Sequence, residues 1–326
     1  MSNEIKTLTQ DETPETKAPA HLPVLTVEKD EEPAFSENDQ EKAWHELKNA
    51  YITKRILIGD LIGMEVTPND NRTVGITYFS GQKVIIPAQE LIDLSGSAGT
   101  GSAETRRQKL LSSMIGAEIS YIIVGLDNNS HTVVASRLKA NERNRQTFYF
   151  DKDDNGYYKI YEGSLVEARI IGIGESSIRA EVFGAECTIH SRELSWDWIT
   201  DVSESFSVGE RVMVRITEIH GRDEKGEFSI AASVRQAQSN KQAELLKTVT
   251  KGNLYTGQIV DIRKGTYLIK LSNGVNALAH SSHCKKPVMR SDVVAFVVNF
   301  VDNKTMMATG NIIRIIKPAR RYYTRM

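Results

Sequence analysis

Three small β barrels in tandem, joined by short linker helices behind a disordered acidic N-terminus, are what this sequence predicts. The fold class is all-β, with five strands to each barrel. Two observations carry it. A strand–turn–strand phrase recurs at roughly 90-residue intervals, a spacing that marks tandem structural units. It stands at Val84–Leu91 leading to Ile115–Val124, at Ile189–Ile216, and at Val275–His280 leading to Ser291–Phe300. Within the units apolar residues repeat with period two, as in Val166, Ala168, Ile170, then Ile178, Ala180, Val182, then Val212, Val214, Ile216. That period gives a strand one apolar face.

Residues 1–38 are rich in Glu, Thr and Pro and bury too little apolar area to order, so they read as a disordered acidic tail. Residues 39–140 hold a leading helix and the first β unit. Ser36–Asp39 supply helix caps, and Ala43, Leu47 and Tyr51, with Trp44 beside them, predict an amphipathic helix over Gln40–Lys54. The unit spans Ile56–Leu138 and carries a Gly/Ser-rich insert, Ser95–Ser102, before a basic helix around Glu104–Met114. The insert lacks the Gly-Lys-Ser/Thr ending of a phosphate loop and reads as a linker.

Residues 141–162 read as a β-hairpin linker, with the strand-prone Thr147–Phe150 and Tyr157–Tyr161 bracketing an Asn155-Gly156 turn. Asp151-x-Asp153-x-Asn155-Gly156 followed by Glu162 fits a calcium-loop pattern, but such a loop needs flanking helices rather than aromatic strands. Residues 163–236 form the second unit, 237–250 a linker helix based on Gln236–Thr248, and 251–316 the third unit. The third repeats the order of the second, with strands at Tyr255–Ile262, Tyr267–Leu271, Asn276–Ala279, Val293–Val301 and Met306–Ile313. Residues 317–326 are a basic aromatic tail. Five short strands in about 70 residues, with the longest connection after the third, suit a small barrel of the oligonucleotide-binding type.

The 326 residues carry a net charge of −1 that hides a gradient. Residues 1–40 hold 10 acids and 3 bases, residues 163–235 hold 13 acids and 8 bases, and residues 241–326 hold 15 bases and 4 acids. A basic final third points to a polyanionic partner. The acidic middle unit points instead to docking on protein. No apolar run reaches the roughly 20 residues of a membrane span, and the start shows no export signal. Cys187 and Cys284 stand 97 residues apart and make no metal pair, so a reduced, cytoplasmic chain is expected. His280-x-x-His283-Cys284 lacks a fourth zinc ligand. No nucleophile elbow, phosphate loop or two-metal acidic cluster stands out. Neither an enzyme, a cofactor nor a metal is expected.

The repeated phrases resemble the S-one RNA-binding domain, whose members are five-stranded oligonucleotide-binding barrels. Unit two supplies Ile189-His190-Ser191-Arg192-Glu193-Leu194 and Gly209-Glu210-Arg211-Val212. Unit one supplies Ile86-Pro87-Ala88-Gln89-Glu90-Leu91 and closes with Ala135-Ser136-Arg137. Unit three supplies Gly257, Ala279-His280-Ser281 and Ser291-Asp292-x-Val. The resemblance implies binding of single-stranded RNA, messenger RNA in particular, in a translation role like that of the ribosomal S-one protein. It departs at the two stacking rings of the second strand, which fall near Ser176 and Arg179 in unit two and near Gly265 and Leu268 in unit three.

Single-strand binding needs cations to follow phosphates and flat groups to stack bases. In unit one the candidates are Tyr78 and, by the resemblance, Arg137. Arg179, Arg192 and Arg235 follow in unit two, with His190 at the family's histidine position. Unit three offers Arg263, Lys264, Tyr267, Lys270, Lys304 and Arg314, with His280 at the histidine position, and the tail offers Arg320, Arg321 and Tyr322. Trp196 and Trp198 read as barrel-edge packing. The expected partner is single-stranded RNA bound by a monomer, with the small ribosomal subunit as a further candidate. The rival reading is a protein-docking scaffold in a ribosome, RNA polymerase or RNA-degradation complex.

Overall fold

A computed structural model of the chain describes residues 37–67, 72–94, 101–222, 228–284, 286–303 and 305–319. The acidic tail lies outside these residues up to 36, as do 95–100 of the Gly/Ser insert and the basic tail from 320 onward.

Unit one begins with helix α1 (Glu37–Thr53), which places Ala43, Leu47 and Ala50 in the core along one face. The chain continues through β1 (Ile56–Asp60), β2 (Gly63–Val66), β3 (Thr73–Phe79), β4 (Gln82–Pro87), α2 (Ala88–Leu91), α3 (Ala103–Ser112), β5 (Glu118–Asp127) and β6 (Thr132–Ser136). Strand order is β1-β5-β6-β4-β3-β2. The two edge strands are halves of one bent segment, interrupted only by Leu61 and Ile62. The sheet therefore curls into a barrel-like form around Leu57, Val84, Ile86, Ile119 and Tyr121.

Helix α4 (Arg137–Arg145) leads to unit two: β7 (Leu165–Ile173), β8 (Ser177–Val182), β9 (Ala185–His190), α5 (Ser191–Leu194), β10 (Arg211–His220) and β11 (Ser229–Ser233). The predicted alternation holds. Ala185, Cys187 and Ile189 of β9 point inward, and Glu186, Thr188 and His190 point out. The order β11-β10-β7-β8-β9 leaves this unit a half-barrel rather than the closed barrel expected. β11 lies against β9 without a ladder, and a side chain makes the join instead, Ser233 Oγ donating to Glu193 Oε2 at 2.8 Å.

Helix α6 (Lys241–Leu246) is shorter than the predicted linker helix, because Asn240 caps it late by accepting from the Ala243 N–H at 3.1 Å. Unit three follows with β12 (Leu254–Arg263), β13 (Thr266–Leu271), β14 (Asn276–Ser282), β15 (Val293–Asp302) and β16 (Met307–Lys317). It is a closed five-stranded barrel, completed by the parallel pairing of β14 with β16. Among the described residues no helix is long and apolar enough to cross a membrane.

The hairpin expected over 141–162 is not formed. Gln146–Phe150 continues α4 as a wide π-helical turn, and one bridge, Lys152 with Tyr158, is all that remains of strand pairing. Burial outweighs the strand preference of these rings. Tyr149 is fully buried and donates to the Val182 carbonyl at 2.9 Å, while Phe148 packs on Phe183 and Phe150 on Phe228. The acids of the calcium-like loop serve their own backbone. Asp153 Oδ1 accepts from the Asn155 and Tyr157 N–H groups at 3.0 and 2.8 Å.

Units one and two meet so closely that glycine is required at the contact. At Gly184, with φ +84°, an added Cβ would lie 2.2 Å from the Asn141 carbonyl oxygen; Gly156 has nearly the same φ, +83°, but open space around it. Gly156→Ala should cost about 1 kcal/mol from the left-handed backbone alone. Gly184→Ala should cost about 2–4 kcal/mol, because backbone must also move. Urea unfolding of both variants measures the difference, and equal costs would show the contact to be slack.

Candidate nucleic-acid interface

The outer face of unit two is not free. Arg169, Glu181 and Glu186 lie abreast on β7, β8 and β9, since Arg169 pairs with Glu181 and Glu181 with Glu186 across the ladders. Unit one covers this rung. Arg137, at the start of α4, pairs with Glu181 and, at 2.7 Å, with Glu186. Arg169 pairs with Glu181, approaches Glu118 at 3.7 Å and donates to Ser120 Oγ at 2.8 Å. Asn141 donates to Glu181 at 3.1 Å. Arg211 joins Glu118 to Glu167, and Arg179 reaches Glu186 at 3.0 Å. Four guanidiniums thus face four carboxylates, with the Arg137 and Glu181 side chains wholly buried.

Burial alone would raise the Glu181 carboxyl above its ordinary 4.5, but the Arg137 and Arg169 guanidiniums together outweigh it and hold the group down at about 2. The opposed charges therefore stay ionised at neutral pH.

Unit three docks on unit two through the matching rung, Gln258–Lys270–Asn276 on β12, β13 and β14. Lys270 pairs with Asp197, and Asn276 donates to the Trp196 carbonyl at 2.5 Å. Trp198 Nε1 donates in return to the Ile269 carbonyl at 3.3 Å. In unit one the same rung holds Tyr78 and Lys83, paired across β3 and β4 beside a positive-φ Ser80-Gly81 turn that matches Phe183-Gly184. Tyr78 is exposed there, and Ile62, Met64 and Val66 of the neighbouring edge segment are exposed with it.

This docking corrects three of the sequence-derived candidates. Arg137 cannot meet phosphate, because its guanidinium is enclosed by Glu181, Glu186 and the Leu91 carbonyl. Lys270 is committed to Asp197 at the joint with unit two. Tyr267 packs against the core of unit three, so its ring is no stacking platform. Arg179 is partly exposed and tied to Glu186. Lys304, Arg320, Arg321 and Tyr322 lie outside the described residues.

Of the remaining candidates of units two and three, Arg192, Arg235 and Arg263 come together, while Arg314 is exposed on β16. His190 is exposed at the end of β9, and Arg192 is exposed in the first turn of α5. Arg235 lies over the Trp196 ring at 4.8 Å and pairs with Glu193 at 2.8 Å. Across the joint, Arg263 pairs with Asp261 at 2.8 Å and donates to the Ile199 carbonyl at 3.3 Å. Lys264 forms the tip of the β12–β13 turn, and His280 Nδ1 lies 3.2 Å from Thr266 Oγ1 beside it. Arg192, Arg235 and Arg263 line one cleft together with Trp196 and Trp198. The sequence suggests edge packing for the tryptophans, and the structure places both in this cleft between the units. That they join two units carries no signal in a single strand's pattern.

Residues 159–231, essentially unit two, match the family model described as S1 RNA binding domain. The small ribosomal subunit protein bS1 of Mycobacterium tuberculosis is 24% identical over 191 residues, which make up 59% of this chain and 38% of that protein. The bS1 of Coxiella burnetii is 21% identical over 273 residues, 81% of this chain and 45% of that protein. This chain therefore spans less than half the length of these relatives. Among solved structures, GSP13 from Bacillus subtilis aligns at 26% identity and TM-score 0.21, covering 26% of this chain and 63% of that one. Fold and site together define a tandem β-barrel protein with an S1 RNA-binding domain. Residues 159–231 carry the S1 RNA-binding domain, and the chain is distantly similar to ribosomal protein bS1.

Removing Glu181 would leave two guanidiniums buried without their counter-charge. Glu181→Ala should lose about 3–5 kcal/mol of stability, against at most about 1 kcal/mol for Glu65→Ala at the exposed Lys83 pair. The pH dependence follows the same group. Its pKa is depressed on folding, so its contribution is complete above the unfolded value near 4.5 and is lost as pH falls towards about 2. Urea unfolding from pH 7 to pH 2.5 should show that decline in the wild type and a flatter one in Glu181→Ala. Parallel profiles would contradict it.

Proposed function

We propose that this protein binds single-stranded RNA without strong sequence preference, along the cationic side of the joint between units two and three. The observation that supports this most is the convergence of Arg192, Arg235 and Arg263 with two indoles on one cleft. Cations that follow phosphate beside flat rings that take bases are the two requirements of single-strand recognition. His190, Lys264 and His280 are exposed on the same two units, and Arg314 adds to the charge of unit three.

The S1 domain and the distant homology to bS1 favour a role with messenger RNA in translation, in the cytoplasm, near the small ribosomal subunit. The protein acts as a monomeric binding module rather than an enzyme, without metal or cofactor. A second reading has its own observation. The exposed Ile62, Met64 and Val66 line one face of an edge segment of unit one, which suits docking on another protein of a ribosome, RNA polymerase or RNA-degradation complex.

Fluorescence anisotropy on an unstructured RNA tests the first reading. Affinity should fall with salt at a log–log slope of about −0.7 for each phosphate neutralised. Replacing Arg192, Arg263 and Lys264 together by Ala should weaken binding about tenfold or more, while Arg314→Ala alone should weaken it about twofold. Salt-independent binding, or none at micromolar protein, would remove the reading. Partners captured from lysate that survive nuclease treatment would support the second.

A further inference from the structure

The cleft at the joint is small, about 180 Å³, and is formed by both units. We propose that it is a base-binding subsite, taking one nucleobase of a single-stranded RNA against the Trp196 indole. This rests on the RNA-binding reading and goes beyond it by moving the stacking site off the barrel face and into the seam between barrels.

Four observations converge on it. The volume is below the roughly 300–1,000 Å³ that encloses a drug-sized ligand, so a single planar ring suits it better than a whole cofactor. The Trp196 Nε1–H is buried and has no hydrogen-bond partner among the described residues. A buried indole donor ordinarily finds an acceptor, and the ring carbonyls and nitrogens of a base are acceptors. Arg235 lies over the same indole, so a cation and a π surface are already stacked at the site. Arg192 and Arg263 stand on the rim, where the phosphates flanking a bound base would pass.

The acid on this rim does not oppose an anionic strand. Asp197 is held by Lys270 and accepts from Gln242 Nε2 at 2.8 Å. Unit three holds the Trp196 main chain through Asn276, which donates to its carbonyl, and the Trp198 indole through the Ile269 carbonyl. Met306 and Met307, also from unit three, supply a polarisable apolar wall. The site is thus complete only when the two units are docked. The barrel-face positions where the family stacks bases carry Ser176 and Arg179 here, and the seam supplies the rings in their place.

The test uses the full chain with two fluorescently labelled probes, a 12-nucleotide oligouridylate and an abasic strand of the same length and backbone. Anisotropy reads affinity, and intrinsic emission reads the tryptophans. The oligouridylate should bind about tenfold more tightly than the abasic strand and quench tryptophan emission, which the abasic strand should not do. Trp196→Leu should abolish that tenfold preference. Thr305→Leu fills the cleft from an exposed residue of its lining, adds no ring and leaves the indoles in place, so it should do the same if Trp196→Leu fails to fold. Equal affinity for the two probes in the wild type, or a preference that survives both substitutions, would overturn the subsite while leaving RNA binding intact. Binding of neither probe would overturn the RNA reading and the subsite with it.

Discussion

A single carboxylate, Glu181, lies at the centre of the joint between units one and two. It is buried between Arg137 of unit one and Arg169 of its own unit, and each guanidinium is further tied to Glu186, Glu118 or Ser120. Such clusters add little net stability compared with apolar packing, because desolvation consumes most of the Coulombic gain. They are unforgiving of mismatch, however. A slip of one residue between the units would leave a charge buried alone, so the cluster sets where one unit sits on the next. Gly184 and Gly209, whose positive φ and close approach to Asn141 and Gly116 admit no side chain, mark the same contact from the backbone.

Docking through one repeated rung covers part of the surface where the family resembled stacks bases. Of its second-strand ring positions, Arg179 in unit two reaches Met114 of unit one, and Leu268 in unit three is buried without belonging to the core of its own barrel. Unit one has no unit before it among the described residues, and there the rung keeps an exposed ring, Tyr78. Glu118 of unit one and Glu167, Glu181 and Glu186 of unit two neutralise arginines at a joint instead of facing solvent.

The units, their strands and the inward residues were legible because period-two alternation is local. Val212, Val214 and Ile216 could point only one way once β10 formed. The route from unit one to unit two was not legible, since Phe148, Tyr149 and Phe150 favour strands in isolation and turn helical only because unit two offers them a surface. Candidate cations failed for the same reason. Arg137 and Lys270 resemble solvent-facing strand and helix-start residues in sequence, and their carboxylate partners lie 44 and 73 residues away. Arg192, Arg263 and His280 are exposed, as their strand and turn positions in the sequence suggest. The pairing of Arg169 with Glu181 on facing outward positions was the one available hint that this face is buried.

The seam between units two and three, rather than the rung between units one and two, is therefore where RNA should lie. Ultraviolet crosslinking of oligouridylate to the full chain, read by mass spectrometry of the peptides, tests this most directly. Crosslinks within residues 190–199 and 263–280 are the predicted result. Crosslinks concentrated within 165–186, on the face that Arg137 and Glu181 close, would contradict it.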